Sequence, residues 1–403
     1  MANWRAIDDL TLQLARQVEL PFKPRFERFT DLYQALHKLW NGKVVVAIDE
    51  FQRLHRTGGV TELHAVWDSG DLGRDIMLIL LGSSVGIIER LGLSYEGPLY
   101  GRASRIMKLR PMLYRDSRKF MTGLSEEDKV RAFGIFGGVP AYLVLLEKKS
   151  SLRDIIFELV LSQGAPLREE PLNMLSIETR EPSRYMQILE AIADKSKVPI
   201  VEIHKYVRVL EKELDLVQRI YPLLEVKRGR ARYRLTDAFT RFWFRFIRPH
   251  QSLLELGQED EVLKMIIEKI DEHVASTFES VALEHMLTLR RAGTLHYQSI
   301  GKWWSREVEI DLVAIDERTS TAIFTEVKWT KTPIRREILL KLRAKAECFP
   351  WRKDSRRNLF LVYSRSGFDF AGEEDAYLFS LEDISRDLEK PSRPNRDDLS
   401  PTA

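Results

Sequence analysis

The chain has 403 residues, and its 63 lysines and arginines nearly balance its 60 aspartates and glutamates, leaving a formal net charge of +3. This charge is too small to predict nucleic-acid binding by itself, so any basic surface must be local. The lone Cys348 excludes a disulfide framework and favours a reducing, cytoplasmic compartment, and no apolar run reaches the ~18 residues of a membrane span.

The first part of the sequence alternates helical and strand patterns. Amphipathic helices are predicted in "WRAIDDLTLQLARQV" and "RFTDLYQALHKLW", and buried strands in "KVVVAIDEF" and "DIMLILLGSS", with the helix "ELHAVWDS" between those strands. Continuous apolar strands joined by helices predict a parallel sheet covered by helices. With the helices "EEDKVRAFGIF" and "SLRDIIFELVLSQ" as a lid, this α/β domain is expected over residues 1–165, followed by a linker to about residue 182.

A second domain is expected over residues 183–250. Helices are predicted in "SRYMQILEAIADK", "PIVEIHKYV" and "VLEKELDLVQRI", and a hairpin with its turn at Gly229 in "LLEVKRGRARYRLTD". Three helices followed by a hairpin is the order of a winged helix. The dense aromatic residues of "AFTRFWFRFIRPH", which follow the hairpin, are predicted to be core.

The predicted wing is basic, with Lys227, Arg228, Arg230 and Arg232 around its turn. Lysine and arginine side chains neutralise backbone phosphates and release counterions, so the wing is a candidate DNA-binding surface. The same pattern also fits a solvated hairpin, or a wing that packs on a neighbouring domain.

A third domain, α/β in pattern, is expected over residues 261–388, with a disordered tail at 389–403. Its most informative segment is "FTEVKW", in which Glu326 and Lys328 lie two apart and share a face of the strand. Asp311, on the preceding strand "EVEIDLVAID", would meet Glu326. Glu279, on the apolar face of the helix "STFESVALEHMLTL", needs a polar partner.

These residue types suit a metal-dependent phosphodiesterase. Glu279, Asp311 and Glu326 supply the carboxylate oxygens that Mg²⁺ or Mn²⁺ prefers, and Lys328 would orient a water or stabilise developing negative charge. Surface charges of an ordinary hairpin give the same spacing, so that alternative stays open.

A second candidate site follows the strand "VVVAI", which ends in Asp49 and Glu50. An acid pair at this position holds Mg²⁺ and polarises water in ATPases, and Ser83 or Ser84, after the next strand, would sense the γ-phosphate. No G-x-x-x-x-G-K-[ST] phosphate loop occurs in the sequence. ATP is therefore expected as a cofactor only if such a loop is supplied upstream or in trans.

Taken together, several stretches resemble the archaeal-type ATPases of the AAA superfamily, which are P-loop NTPases with a C-terminal PD-(D/E)XK nuclease-like domain. The matching stretches are "VVVAIDEFQRL", "LLGSSVGIIERL", "GPLYGRASRIMKLRPM", "FGIFGGVPAYL", "RYRLTDAFTRFWFRFIRP", "WWSREVEIDLVA", "FTEVKW" and "LFLVYSRSGF".

The resemblance implies a partial P-loop ATPase sheet with a helical lid, then a winged helix, then an α/β nuclease-like domain. By position, Asp49 and Glu50 match the family's Mg²⁺ and water acids, and Arg102 falls where a phosphate-sensing or trans-acting arginine could lie. The chain begins after the family's Walker A segment, so we expect an N-terminally truncated family protein that associates with DNA.

Two alternatives belong to other functional classes. One is a Mg²⁺-dependent DNA nuclease with a vestigial ATPase half. The other is a non-catalytic regulatory module that docks on an intact ATPase homologue or associates with itself. DNA is the expected partner, and no membrane association is expected.

Overall fold

The computed structural model describes most of the chain. The residues it describes are 2–17, 19, 24–39, 42–55, 57–70, 75–82, 85–92, 95, 97–179, 181–193, 200–224 and 231–390. They form two units: the first runs to Lys108 and includes Arg208–Asp215, and the second comprises Leu109–Val207 and the chain from Leu216 onward. The boundaries predicted at residues 165, 183, 250 and 261 remain predictions.

The first unit is built from short helices around two strands. Its elements are α1 (Ala2–Gln17), α2 (Phe29–Leu39), β1 (Val44–Ile48), α3 (Gln52–His55), α4 (Gly59–Ser69), β2 (Ile76–Leu80) and α5 (Val85–Gly92). Among the described residues, β1 and β2 pair in parallel, from Val44 opposite Ile76 to Ile48 opposite Leu80. The predicted parallel pairing is therefore confirmed.

An apolar core holds the first unit together. Phe29 and Tyr33 of α2 are almost fully buried, as are Val60 and Leu63 of α4. Ile48, at the end of β1, belongs to the same cluster. The core lies on one face of the strand pair and fixes the end of β1, where the acid pair follows.

The second unit begins with helices. They are α6 (Tyr114–Ser117), α7 (Glu126–Phe136), α8 (Pro140–Val144), α9 (Leu152–Ile156), α10 (Glu170–Glu178), α11 (Pro182–Ala193) and α12 (Ile200–Lys212), whose last turn belongs to the first unit. Ser125 caps α7 by accepting a hydrogen bond from the Asp128 amide. Helix α10 lies in the segment predicted as a linker, which is a correction. Pro171 fits its first turn, and Leu175 is fully buried, so packing supports the helix.

The predicted winged-helix segment is corrected in two places. The two helices predicted in "PIVEIHKYV" and "VLEKELDLVQRI" are a single helix, α12, because no glycine or proline separates them. That helix ends at Lys212, and Asp215 has a left-handed backbone with φ of 54°. Strand β3 (Val217–Ile220) follows and pairs antiparallel with β4 (Arg232–Leu235), so the hairpin starts earlier than predicted.

The chain then forms an aromatic core and a long helix. The elements are α13 (Ala238–Phe242), a π-helical turn (Trp243–Ile247), α14 (Gln251–Glu255) and α15 (Glu259–Arg291). Phe239, Phe242 and Trp243 are fully buried, which confirms the prediction that these aromatic residues are core.

A five-stranded sheet closes the second unit. Its elements are β5 (Ser299–Trp304), β6 (Glu309–Asp316), β7 (Thr321–Lys328), α16 (Glu337–Ala346), β8 (Arg357–Ser364), β9 (Ala376–Ser380) and α17 (Leu381–Glu389). The strand order is β5-β6-β7-β8-β9, with β5, β6 and β7 antiparallel and β7, β8 and β9 parallel. Helix α16 makes the crossover that two adjacent parallel strands require.

The two faces of β7 meet different helices. Phe324 packs in one core cluster with Leu339 and Leu342 of α16. Thr325, the next residue, donates a hydrogen bond to Met286 Sδ of α15 at 3.5 Å. Because side chains alternate along a strand, Glu326 lies on the α16 face with Phe324. Within the described ranges, no helix is long and apolar enough to cross a membrane.

Candidate active site

Asp311 of β6 and Glu326 of β7 meet where these antiparallel strands pair. Asp311 Oδ2 accepts a hydrogen bond from the Val327 amide at 2.8 Å, which fixes its carboxylate against β7. Glu326 is only 3% exposed. Lys328 Nζ lies 2.6 Å from Glu326 Oε1 and 4.0 Å from Asp311 Oδ2. The predicted meeting of these three side chains is therefore present in the structure.

Glu279 reaches the same region from helix α15. Its carboxylate is ion-paired with Lys302 of β5, and its charge acts on both Asp311 and Lys328. A carboxylate on the apolar face of this helix needs a partner, and Lys302 provides it. We call Glu279, Asp311 and Glu326 the carboxylate cluster.

The electrostatics of Asp311 follow from this crowding. Burial, and then the negative charges of Glu326 and Glu279, raise the pKa of Asp311 from 3.8 to about 6, against the opposing effect of Lys328. Burial alone would lower the pKa of Lys328, but the charges of Glu326 and Asp311 outweigh it and raise the pKa. At Asp311, the negative charges of Glu326 and Glu279 therefore outweigh the positive charge of Lys328.

A lysine that the sequence reasoning missed completes the arrangement. Lys345 Nζ of α16 lies 3.0 Å from Glu326 Oε1 and 2.8 Å from Glu326 Oε2. It belongs to the edge of the buried stripe of α16, three residues after Leu342 and four before the buried Phe349. A lysine beside the apolar stripe of a helix was the sequence signal that could have predicted a buried partner for Lys345.

The donor set of the cluster fits a hard divalent cation, since carboxylate oxygens are the ligands that Mg²⁺ and Mn²⁺ prefer. As placed, no three His, Cys, Asp or Glu side chains of the described residues are grouped so that they could hold a metal ion. Lysine ammonium groups pair with the carboxylates instead: Lys302 with Glu279, and Lys328 and Lys345 with Glu326. Binding a cation here would require those lysines to move.

The hairpin of β3 and β4 contacts the C-terminal sheet near the turn end of its strands. The Leu223 amide donates to Lys302 O at 2.7 Å. Arg232 donates to Glu309 Oε2 at 2.8 Å, and its guanidinium lies 4.5 Å from the centre of the Trp304 ring. Packing on a neighbouring sheet is one of the alternatives that the sequence left open, and Arg232 takes part in it.

The remaining predicted DNA-binding residues lie outside the described part of the chain. They are Lys227, Arg228 and Arg230. Their role in DNA binding stays a prediction from sequence.

In the first unit, the acid pair stands at the carboxyl end of β1. Asp49 is exposed, and its Oδ1 accepts a hydrogen bond from the Glu50 amide at 2.8 Å. Glu50 Oε2 accepts one from Gln52 Nε2 at 2.8 Å. Glu50 has φ of 51°, a left-handed conformation that costs a residue with a side chain about 1–2 kcal/mol. Strain of this kind concentrates at functional positions.

The other predicted nucleotide-binding residues are less informative. Ser83 and Ser84 lie outside the described residues. Arg102 makes a two-pronged ion pair with Asp68, with Nε at 2.8 Å from Oδ1 and the terminal Nη2 at 2.6 Å from Oδ2. The hydrogen bond from Arg102 lowers the pKa of Asp68 to about 2. In this arrangement the guanidinium faces a carboxylate of its own unit.

Comparison with known proteins gives two family matches. Residues 7–146 match a family described as an ATPase domain predominantly from Archaea. Residues 243–342 match a family described as "Archaea bacterial proteins of unknown function". The second match contains Glu279, Asp311, Glu326 and Lys328.

A relative spans nearly the whole chain. It is an uncharacterized protein of Methanocaldococcus jannaschii, 28% identical over 397 residues, covering 94% of this chain and 88% of the relative. Together, these matches support an archaeal-type ATPase family for this chain, with an ATPase-like domain followed by a C-terminal sheet domain.

Proposed function

We propose that the protein is a DNA-associated member of this ATPase family whose C-terminal sheet domain cleaves phosphodiesters at the carboxylate cluster. The observation that carries the proposal is the meeting of Asp311, Glu326 and Lys328 on β6 and β7, with the charge of Glu279 acting on Asp311. A buried acid of raised pKa beside a lysine, as Asp311 is, is typical of a reaction site rather than of a solvated hairpin.

The order of helices and strands at the end of the second unit supports a nuclease-like interpretation of this domain. A helix precedes three antiparallel strands, and a crossover helix leads to a parallel fourth strand. The acids lie on the second and third of these strands, which is the arrangement that the PD-(D/E)XK resemblance implies. Fold alone does not establish chemistry, so the proposal depends on the side chains.

The residues have distinct roles in this proposal. Asp311, Glu326 and Glu279 would hold Mg²⁺ or Mn²⁺, which when bound neutralises charge on the scissile phosphate. The Val327 amide keeps the Asp311 carboxylate oriented toward β7. Lys328 would face the phosphate and stabilise negative charge while a water oxygen bonds to phosphorus and the bond to the leaving oxygen breaks; the proton that the water loses balances the one that the leaving oxygen takes up.

Cleavage of labelled DNA tests the proposal. The whole chain, incubated with plasmid and with single-stranded oligonucleotides in Mn²⁺ or Mg²⁺, should cut at least one of them. Asp311→Asn and Lys328→Ala should each abolish cutting. Asp354→Asn makes the same change as Asp311→Asn at an exposed loop position, so it is the control and should still cut. Cleavage that survives Asp311→Asn would assign the activity elsewhere, and the absence of cleavage in every condition would reject the nuclease.

We predict that this polypeptide alone neither binds ATP tightly nor hydrolyses it. The sequence contains no phosphate loop, which normally supplies the backbone amides and the lysine that hold the triphosphate. Asp49 and Glu50 by themselves present negative charge to a polyanion. Calorimetric titration with MgATP checks this, and micromolar binding that is lost in Asp49→Ala would show the prediction to be wrong.

We also predict that the hairpin contributes to DNA binding through phosphates rather than bases. Replacing Arg228 and Arg230 with alanine should weaken binding equally on unrelated duplexes. It should also flatten the dependence on salt concentration by roughly one unit per lost phosphate contact. Arg153→Ala, which removes an exposed arginine of α9, serves as control. An unchanged salt slope in the double variant would exclude the hairpin from the interface.

A further inference from the structure

Both oxygens of the Glu326 carboxylate are occupied by ammonium groups. Lys345 lies within 3.0 Å of each oxygen, and Lys328 lies 2.6 Å from one of them. Glu326 itself is almost completely buried, whereas Lys345 is about one-third exposed. The carboxylate is therefore fixed by its strand, and the lysine side chain is the partner with room to move.

A divalent cation bound by Asp311 and Glu326 would need the same oxygens at ~2.0–2.6 Å. An ammonium group at hydrogen-bonding distance from both oxygens would then lie next to a doubly charged ion. That arrangement is strongly repulsive where water is largely excluded. Cation binding and the Lys345–Glu326 contact therefore compete for the Glu326 carboxylate.

We propose that Lys345 is a built-in competitor for the cation, which closes the carboxylate cluster until a divalent ion displaces it. This inference rests on the proposed function, since it concerns the same site. Once displaced, the flexible side chain carries its positive charge at the edge of the cluster. There it can pair with a phosphate group, so cation and phosphate should each favour binding of the other.

Lys328 would also have to leave Glu326, but it is held differently from Lys345. Its ammonium group contacts one oxygen of Glu326 and lies near Asp311, and it is carried by the same strand as Glu326. Lys345 comes from a different element, α16, and contacts both oxygens. A single substitution on the helix can therefore remove the Lys345 charge and leave both strands, and Lys328, unchanged.

Calorimetric titration of Mn²⁺ into the whole chain tests this inference. Lys345→Met removes the competing charge and keeps the apolar stem. We expect this variant to bind Mn²⁺ about tenfold more tightly than the wild type, which corresponds to about 1.4 kcal/mol of binding free energy. Lys341→Met makes the same change at an exposed position of α16 and should match the wild type. In the presence of inorganic phosphate, Mn²⁺ binding should tighten for the wild type and much less for Lys345→Met.

A second variant keeps the test valid if Lys345→Met fails to fold. Lys345→Arg retains the charge and offers a planar fork that suits a carboxylate, so it should compete better and weaken Mn²⁺ binding. The inference is overturned if the wild type binds Mn²⁺ and neither Lys345 variant changes the affinity, an outcome that leaves the proposed function standing. If neither wild type nor Lys345→Met binds Mn²⁺, the metal-dependent function itself fails, and the inference with it.

Discussion

Replacing Asp271 with asparagine should lower the free energy of unfolding by about 2 kcal/mol, below the cost of removing one partner of a fully buried ion pair, because the Asp271 side chain is 24% exposed. Asp271 of α15 accepts hydrogen bonds from Arg131 Nε at 2.8 Å, Trp329 Nε1 at 2.9 Å and Arg365 at 2.9 Å. Asparagine keeps an acceptor oxygen and loses the charge, so Arg131 and Arg365 lose one of the two carboxylates they share and keep Glu127. Urea titration of the whole chain measures the loss.

The control is the neighbouring Glu272→Gln. Glu272 is 72% exposed and pairs with Arg245 at the surface, so its loss should cost less than about 1 kcal/mol. Equal unfolding free energies for the two variants would contradict the account. Trp329 directly follows Lys328, so Asp271→Asn should also loosen the end of β7 that carries the candidate site.

The pH dependence of the Asp271 effect has a definite sign. Burial alone would raise the pKa of Asp271, but the hydrogen bonds from Arg131 and Trp329 and the charges of Arg131 and Arg365 outweigh it and lower the pKa to about 2. A folded-state pKa below the ordinary 3.8 stabilises the protein above that pH, and the contribution is lost as the pH falls toward 2. The difference in unfolding free energy between the wild type and Asp271→Asn should therefore shrink as the pH falls from 3.8 toward 2.

The second large effect concerns Asp311→Asn. This change removes one negative charge from the carboxylate cluster and keeps the volume and an acceptor for the Val327 amide. It should abolish the rise in melting temperature that Mn²⁺ produces in the wild type, because binding to the folded state is lost. In chelator, the variant should be more stable than the wild type at pH 7.5.

The expected gain in stability depends on pH. The folded-state pKa of Asp311, about 6, lies above the ordinary 3.8, so this carboxyl costs stability as the pH rises from 3.8 to about 6. The difference corresponds to at most roughly 3 kcal/mol at neutral pH and should vanish near pH 4. Thermal melts at both pH values measure it, and a variant less stable than the wild type at pH 7.5 would show that burial and the neighbouring charges do not destabilise the ionised Asp311.

Much of the candidate site was predictable because it follows local periodicity. Glu326 and Lys328 share a face by the two-residue repeat of a strand, and their charges stand out in an apolar segment. Glu279 stands out for the same reason on an apolar helix face. These signals need only the residues near them in sequence.

The partners of these residues were not predictable in the same way. Lys302, Lys345 and Asp271 reach the site or its support from other elements, and no short-range pattern in the sequence links them to β7. Tertiary packing brings them together, so only the fold identifies Lys345 as the counter-ion of Glu326.

The errors in the middle of the chain have a local cause. Polar and proline-rich residues suggested a linker near residues 165–182, yet the buried Leu175 supports helix α10 there. The start of the hairpin was missed because β3 directly follows a helix with only a short turn. In both segments, tertiary packing outweighed the local secondary-structure propensity of the residues.

The central claim is that the carboxylate cluster takes a divalent cation. Anomalous diffraction from crystals of the whole chain grown with Mn²⁺ tests it most directly. The account predicts an anomalous peak for a manganese ion coordinated by Asp311 and Glu326. The Lys345 ammonium group should then no longer contact the Glu326 carboxylate. Saturating Mn²⁺ with no peak at the cluster, and with Lys345 still bound to both Glu326 oxygens, would contradict it.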